Sequence, residues 1–123
     1  MTALPPHDRH ELRSALAAAR ASTTDEIGAL TRDLQDIIDA STSVATDDEH
    51  DPEGATIAFE RAQVAALLGR ARERLADLDR AVEQLDAGTY GVCEHCGQPI
   101  AAERLAARPA ARTCITCASA RRR

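Results

Sequence analysis

The chain contains no tryptophan, and only one phenylalanine, one tyrosine and one methionine. A large aromatic core is therefore excluded, as is nucleic-acid binding built on a row of stacking rings. Lysine is also absent, so all fifteen basic residues are arginine. With the abundance of alanine, this reads as the codon supply of a GC-rich genome rather than a chemical requirement. No stretch approaches the roughly 18 apolar residues of a membrane span, and nothing at the N-terminus reads as a secretory signal. The expectation is a soluble, cytoplasmic protein with no membrane partner. At 123 residues it is one small domain or two modules. No base–nucleophile pairing is visible, so no enzyme is expected.

Cysteine is scarce as well, but its four residues make one pattern. Cys93-Glu94-His95-Cys96 is followed, after seventeen residues, by Cys114-Ile115-Thr116-Cys117. Two C-x-x-C pairs at this separation are the ligand set of a four-cysteine zinc site. Each pair suits a tight turn that aims both sulfurs inward, and Gly91 and Gly97 suit the positive φ such turns need. The alternative is two disulfides, which belong to oxidising compartments. A redox C-x-x-C would sit in a βαβ pattern, and none surrounds these pairs. Four thiolates leave no open coordination position, so one structural zinc ion is expected. His95, inside the first pair, is expected to be an exposed loop residue. Metal binding contributes on the order of 10 kcal/mol to such a module, so 88–123 should unfold on chelation while the rest need not.

The net charge of −5 hides an asymmetry. Residues 1–87 carry eighteen acids and nine arginines, whereas 88–123 carry two acids (Glu94, Glu103) and six arginines. The acidic part is unsuited to a phosphate backbone, whose neutralisation supplies most non-specific affinity.

Two long helices fill that acidic part. Asp8 reads as an N-cap with Glu11 reaching back from N3. Leu12, Leu16, Ala19, Thr23, Ile27, Leu30, Leu34, Ile37 or Ile38, and Ser41 then recur at spacings of four and three, a heptad-like seam. Ala21 to Thr24 is poor helix material, and Thr23 with Glu26 offers a second cap. The seam nevertheless keeps phase, favouring one helix over about 8–41. Ser41 to His50 reads as a connection. Asp51 then caps a second helix with Pro52 at its first position. Its seam runs Ile57, Val64, Leu67 or Leu68, Ala71, Leu75, Leu78, Val82 and Leu85, and stops at Gly88, a C′ residue. Neither seam buries itself alone, so the helices are expected to pair antiparallel, through an interface thinned by alanine. Phe59 is expected to staple the hairpin end. The fold class is thus all-α dominated. A long antiparallel coiled-coil hairpin spans 1–87, with helices over about 8–41 and 52–87 and an acidic tip over about 42–55. A four-cysteine zinc ribbon or finger with a short Arg-rich tail spans 88–123.

Asp47, Asp48, Glu49, Asp51 and Glu53 put five carboxylates at the connection. One reading is a solvated turn whose acids favour a helix N-terminus. The other is a working tip, able to meet cations or basic groups in a narrow channel. An EF-hand is not indicated, since the alternating ligands, central glycine and terminal glutamate are missing.

From Gly88 onward the chain resembles the DksA/TraR family of bacterial transcription factors. The resemblance rests on Gly88-Thr89-Tyr90-Gly91-Val92-Cys93-x-x-Cys96-Gly97-x-x-Ile100, then Arg104-Leu105-x-Ala107-x-Pro109-x-Ala111-x-x-Cys114-x-x-Cys117. Upstream it covers the heptad helix back to Asp51, while the first helix matches only in character. It implies binding to RNA polymerase, with the coiled-coil tip inserted through the secondary channel to alter initiation. It also implies zinc ligation by Cys93, Cys96, Cys114 and Cys117. Counting back from Cys93, Glu53 falls on the family's second acidic tip position and Ala55 on its alanine. His50 falls on the first acidic position, for which neighbouring Asp51 can substitute. Asp77 falls where one family member carries a lysine implicated in guanosine tetraphosphate binding. The family's longer C-terminal helix has no counterpart in 118–123. The resemblance therefore implies polymerase binding more than a response to that nucleotide.

The leading expectation is a monomeric, zinc-binding regulator of RNA polymerase, with Asp51, Glu53 and Ala55 at its working end and no direct sequence-specific DNA contact. One alternative is a zinc-ribbon nucleic-acid binder using Arg104, Arg108, Arg112 and the terminal Arg121-Arg122-Arg123. Another is a helical adaptor for some other protein. Of the remaining motif residues, Tyr90 is expected to pack the module against the hairpin. The three module arginines are expected to offset thiolate charge through solvent and backbone contacts.

Overall fold

The computed structural model describes residues 6–43 and 52–121. Four helices follow in order: α1 (Pro6–Ser43), α2 (Pro52–Ala87), α3 (Ala102–Ala107) and α4 (Ile115–Arg121). The described residues form no strand, and one isolated antiparallel bridge joins Val92 to Pro99. Among the described residues, no helix is long and apolar enough to cross a membrane. Residues 44–51, which make up most of the expected tip and include Asp47, Asp48, Glu49, His50 and Asp51, the expected cap of α2, lie outside the described residues, as do Arg122 and Arg123.

The first helix begins earlier than expected. It starts at Pro6, so Asp8 is its third residue and not its N-cap. Proline suits a first helical position because its φ is already helical and the N–H it lacks would have no partner there. The weak patch from Ala21 to Thr24 does not interrupt α1. Thr23 sits in phase with the seam and is 7% exposed, the one buried polar side chain among the described residues. At the far end, Ser41 Oγ and Thr42 Oγ1 both donate to the Ile38 carbonyl at 2.8 Å. These hydroxyls engage a carbonyl of the last turns, which helix ends leave short of partners. The helix runs on to Ser43.

The chain divides into two compact units, Met1–Ala21 with Arg74–Arg123, and Ser22–Glu73. In the first, the start of α1 packs on the end of α2. Leu16, Leu78, Ala81 and Leu85 form its buried cluster, flanked by Leu12, Ala19, Val82, Tyr90 and Ala110. Two ion pairs mark the register: Arg13 Nη2 to Asp86 Oδ1 and Arg20 Nε to Asp79 Oδ1, each at 2.6 Å. Seven residues forward along α1 is seven residues back along α2, which makes the pairing antiparallel with a one-heptad step. Both pairs are about half exposed, so each contributes less than about 1 kcal/mol. Apolar burial stabilises more, at about 1.5–3 kcal/mol per fully buried leucine.

The Ser22–Glu73 unit is thinner. Among its described residues Thr23, Leu68 and Ala71 are buried; Ile27, Leu30, Leu34, Ile37, Ile38, Ile57 and Val64 are half-buried. Leu68 rather than Leu67 takes the seam position, 4% against 38% exposed. Phe59 does not staple the hairpin end, because it is 70% exposed. It stands two residues from Ile57, about 200° around a helix of 3.6 residues per turn, and so faces away from the seam.

These burials set an expected contrast. Leu16→Ala, at a fully buried position, should cost about 2–5 kcal/mol, whereas Phe59→Ala should stay within about 0.5 kcal/mol of the wild type. Urea unfolding of the metal-saturated protein, followed by helical circular dichroism, measures both.

Candidate metal centre

The chain leaves α2 through a defined stop. Gly88 has φ +78°, its N–H meets the Leu85 carbonyl at 3.3 Å, and the Thr89 N–H meets that of Gln84 at 2.8 Å. These two bonds are the Schellman pattern, which satisfies the helix's last carbonyls and turns the chain. Tyr90 then lays its ring against the Leu16 cluster and donates its hydroxyl to the Pro109 carbonyl at 2.8 Å. Burial pushes its pKa up, as expected for a phenol acting as a donor. The packing role foreseen for Tyr90 is the one it has.

The first cysteine pair sits on a miniature hairpin. Cys93 N–H meets the Gln98 carbonyl at 2.8 Å, Ile100 N–H meets that of Gly91 at 2.8 Å, and Gly97 N–H returns to Cys93 at 2.9 Å. Gly91 (φ +86°) and Gly97 (φ +76°) supply the left-handed backbone this needs. At Gly91 space matters too, since a Cβ would lie 3.3 Å from Leu105 Cδ1.

The second pair is presented by α4. Cys114 precedes the helix, and its carbonyl receives the Ala118 N–H at 2.9 Å. Cys117 N–H points at Cys114 Sγ, 3.5 Å away. Arg104, on α3, donates Nε to the Thr113 carbonyl at 2.9 Å, bracing the residue before Cys114. Glu94 N–H meets the Arg112 carbonyl at 2.9 Å and so ties the two knuckles together.

The four sulfurs lie within 4.8 Å of one another, and Cys96 Sγ and Cys114 Sγ are 3.8 Å apart. A tetrahedral zinc with Zn–S bonds of about 2.3 Å requires sulfurs about 3.8 Å apart, so the donor set fits that ion. All four cysteines are free, with no disulfide. Cys93 and Cys117 are buried and Cys96 is exposed. His95 is exposed and outside the cluster. Backbone N–H groups of Cys96 and then Cys114 hold the Cys93 thiol down to about 6, while sharing a hydrogen bond with Cys114 pushes Cys117 up to about 12. Four thiolates this close repel one another, and only a cation lets all four ionise together.

Residues 88–123 match the family model described as the prokaryotic dksA/traR C4-type zinc finger. The module is a DksA/TraR zinc finger. Beyond it, the solved structure of transcription factor DksA2 from Pseudomonas aeruginosa superposes with a TM-score of 0.76 at 26% identity, covering 95% of this chain and 84% of that one. General stress protein 16O of Bacillus subtilis is 33% identical over 94 residues, 76% of this chain and 50% of its own. A protein named RNA polymerase-binding transcription factor DksA, from Caulobacter vibrioides, is 43% identical over 42 residues, 34% of this chain and 30% of its own. The chain spans between 28% and half the length of the first curated relatives it matches.

Within the DksA/TraR finger the arginines do not act as a group. Arg104 makes the backbone contact expected of it, but Arg112 is committed to carboxylates, with Nε 2.9 Å from Glu94 Oε2 and Nη1 3.5 Å from Asp77 Oδ1. Glu94 also pairs with Arg80 at 2.8 Å. Sequence reasoning missed this cluster, because its members are separated along the chain and follow no motif spacing. Glu53 and Ala55 lie in the Ser22–Glu73 unit, in the first turns of α2, and both are exposed. Asp51, their expected companion, lies outside the described residues.

The donor set predicts one zinc per chain, and the sign of its pH dependence follows from the thiols. Metal competes with protons, so binding should release protons and weaken as pH falls. Cys117, which its hydrogen bond with Cys114 pushes up to about 12, must give up a firmly held proton to bind the ion. Zinc release to a colorimetric indicator, titrated from about pH 8 to pH 5, checks the direction; retention that improved on acidification would contradict the four-thiolate assignment.

Proposed function

We propose that the protein is a zinc-stabilised transcription regulator that binds RNA polymerase, entering the secondary channel with the α1–α2 connection to modulate initiation. The observation that carries this reading is the extent of the DksA2 likeness. It takes in 95% of the chain, and so includes the paired helices as well as the finger. The Caulobacter relative, named for RNA polymerase binding, supports the same partner. In this reading the finger is a structural base and the working groups are Asp51, Glu53 and Ala55. Glu53 is exposed at the acidic start of α2, where a carboxylate can meet a cation or a basic group of the enzyme.

The nucleic-acid alternative is less well supported. Of the finger arginines it would use, Arg104 is bonded to the Thr113 carbonyl and Arg112 to Glu94. Asp77 pairs with Arg112, so at this position α2 presents a neutralised carboxylate where a phosphate ligand would want a cation. The reading therefore assigns no role to guanosine tetraphosphate.

Competition binding to the cognate RNA polymerase tests the proposal, comparing wild type with Asp51→Asn/Glu53→Gln in parallel initiation assays. The expected result is saturable binding, with an effect on initiation that the double substitution reduces at least tenfold. Binding without any initiation effect would reduce the connection to a solvated turn, and no binding would reject the polymerase as partner.

A further inference from the structure

Glu94 is not a metal ligand, yet its side chain joins α2 to the segment that leads into the second cysteine pair. It follows Cys93 directly. Its Oε1 accepts from Arg80 Nη1 at 2.8 Å and from Gln84 Nε2 at 3.4 Å, both on α2. Its Oε2 accepts from Arg112 Nε at 2.9 Å. Arg112 stands two residues before Cys114, and its Nη1 reaches back to Asp77 Oδ1 on α2 at 3.5 Å. Asp77, Arg80 and Gln84 are spaced three and four apart, so they form one stripe on the helix. That stripe is offset by one residue from the seam positions Leu78, Ala81 and Leu85. One face of α2 thus packs α1 while its neighbour grips the finger.

We infer that Glu94 is a positioning residue for the metal centre, and that α2, through Arg80 and Asp77, forms part of the centre's outer support although it carries no ligand. The two cysteine pairs are separated by seventeen residues, so their spacing must be held by contacts other than the chain itself. The Glu94 N–H to Arg112 carbonyl bond, 2.9 Å, is one such contact, and the carboxylate shared between Arg80 and Arg112 is another. An isolated exposed ion pair contributes little, but a carboxylate held by two guanidinium groups and an amide is a network with defined geometry. Ligands held in place before binding lose less freedom on binding, so outer contacts raise metal affinity. Linkage makes the coupling reciprocal: metal in the finger tightens its grip on α2. The inference rests on the metal assignment and is independent of the polymerase reading.

The experiment measures the zinc dissociation constant of the full chain against a chromophoric chelator, at low and high salt, for wild type, Glu94→Gln, Arg80→Gln and the double variant. Glu94→Gln is expected to weaken zinc binding about tenfold or more. Arg80→Gln should weaken it less, and the double variant should be no weaker than Glu94→Gln alone. High salt should weaken the wild type more than Glu94→Gln. Zinc affinity within twofold of wild type in folded Glu94→Gln would overturn the inference, even if its urea midpoint fell, because a merely stabilising contact moves the midpoint alone. Independent, multiplying effects of Arg80→Gln and Glu94→Gln would overturn it too. Should Glu94→Gln fail to fold, the Arg80→Gln affinity and the wild-type salt series decide by the same criteria.

Discussion

Four sulfurs gathered within 4.8 Å are a demanding arrangement, because ionised thiolates at that distance repel and neutral thiols leave each other poorly partnered. The folded finger resolves this by being shaped for a cation. The N–H groups that turn toward Cys93 favour its thiolate, sulfur neighbours and burial work against that of Cys117, and four negative charges this close call for a cation. Almost every feature of residues 88–121 serves that arrangement. Gly91 and Gly97 permit the first knuckle, Arg104 braces the approach to the second, and α4 begins where Cys114 ends.

The finger is also bound to the helices. Tyr90 and Ala110 join the cluster of Leu16, Leu78, Ala81 and Leu85, so the core at this end of the helix pair includes residues from the finger. With so few large apolar side chains, neither part has much to bury alone. Sharing a core offsets part of the ordering cost that a small module could not meet by itself. The Schellman turn at Gly88 aids this by aiming the chain from α2 back toward its own seam.

The DksA2 likeness covers 95% of the chain, so it takes in the long helices as well as the finger. Asp77 and Arg112 neutralise each other beside Glu94. Exposed carboxylate and alanine remain at the start of α2. The two long helices pair in a defined register. Here two half-exposed ion pairs mark the register, and buried leucines on either side of Ala81 supply the stability.

The metal ligands were legible in the sequence because four-cysteine ligation has a covalent spacing that no other element of this chain imitates. The seams were legible for a similar reason: helical period is local, and it survived the weak patch around Thr23. Gly88, Gly91 and Gly97 could be assigned because positive φ is a property of single residues. What the sequence could not disclose depended on rotation and on distant pairing. Phe59 is apolar and near the connection, but its angle around α2 turns it outward. Leu68 displaces Leu67 by the same geometry. Ala81 becomes core because Leu16 packs in the same cluster, and Glu94 becomes a hub because Arg80, Gln84 and Arg112 converge on it from ten to eighteen residues away. Those partnerships belong to the tertiary structure alone, since a charge at a given position has no preferred partner until folding brings one within reach.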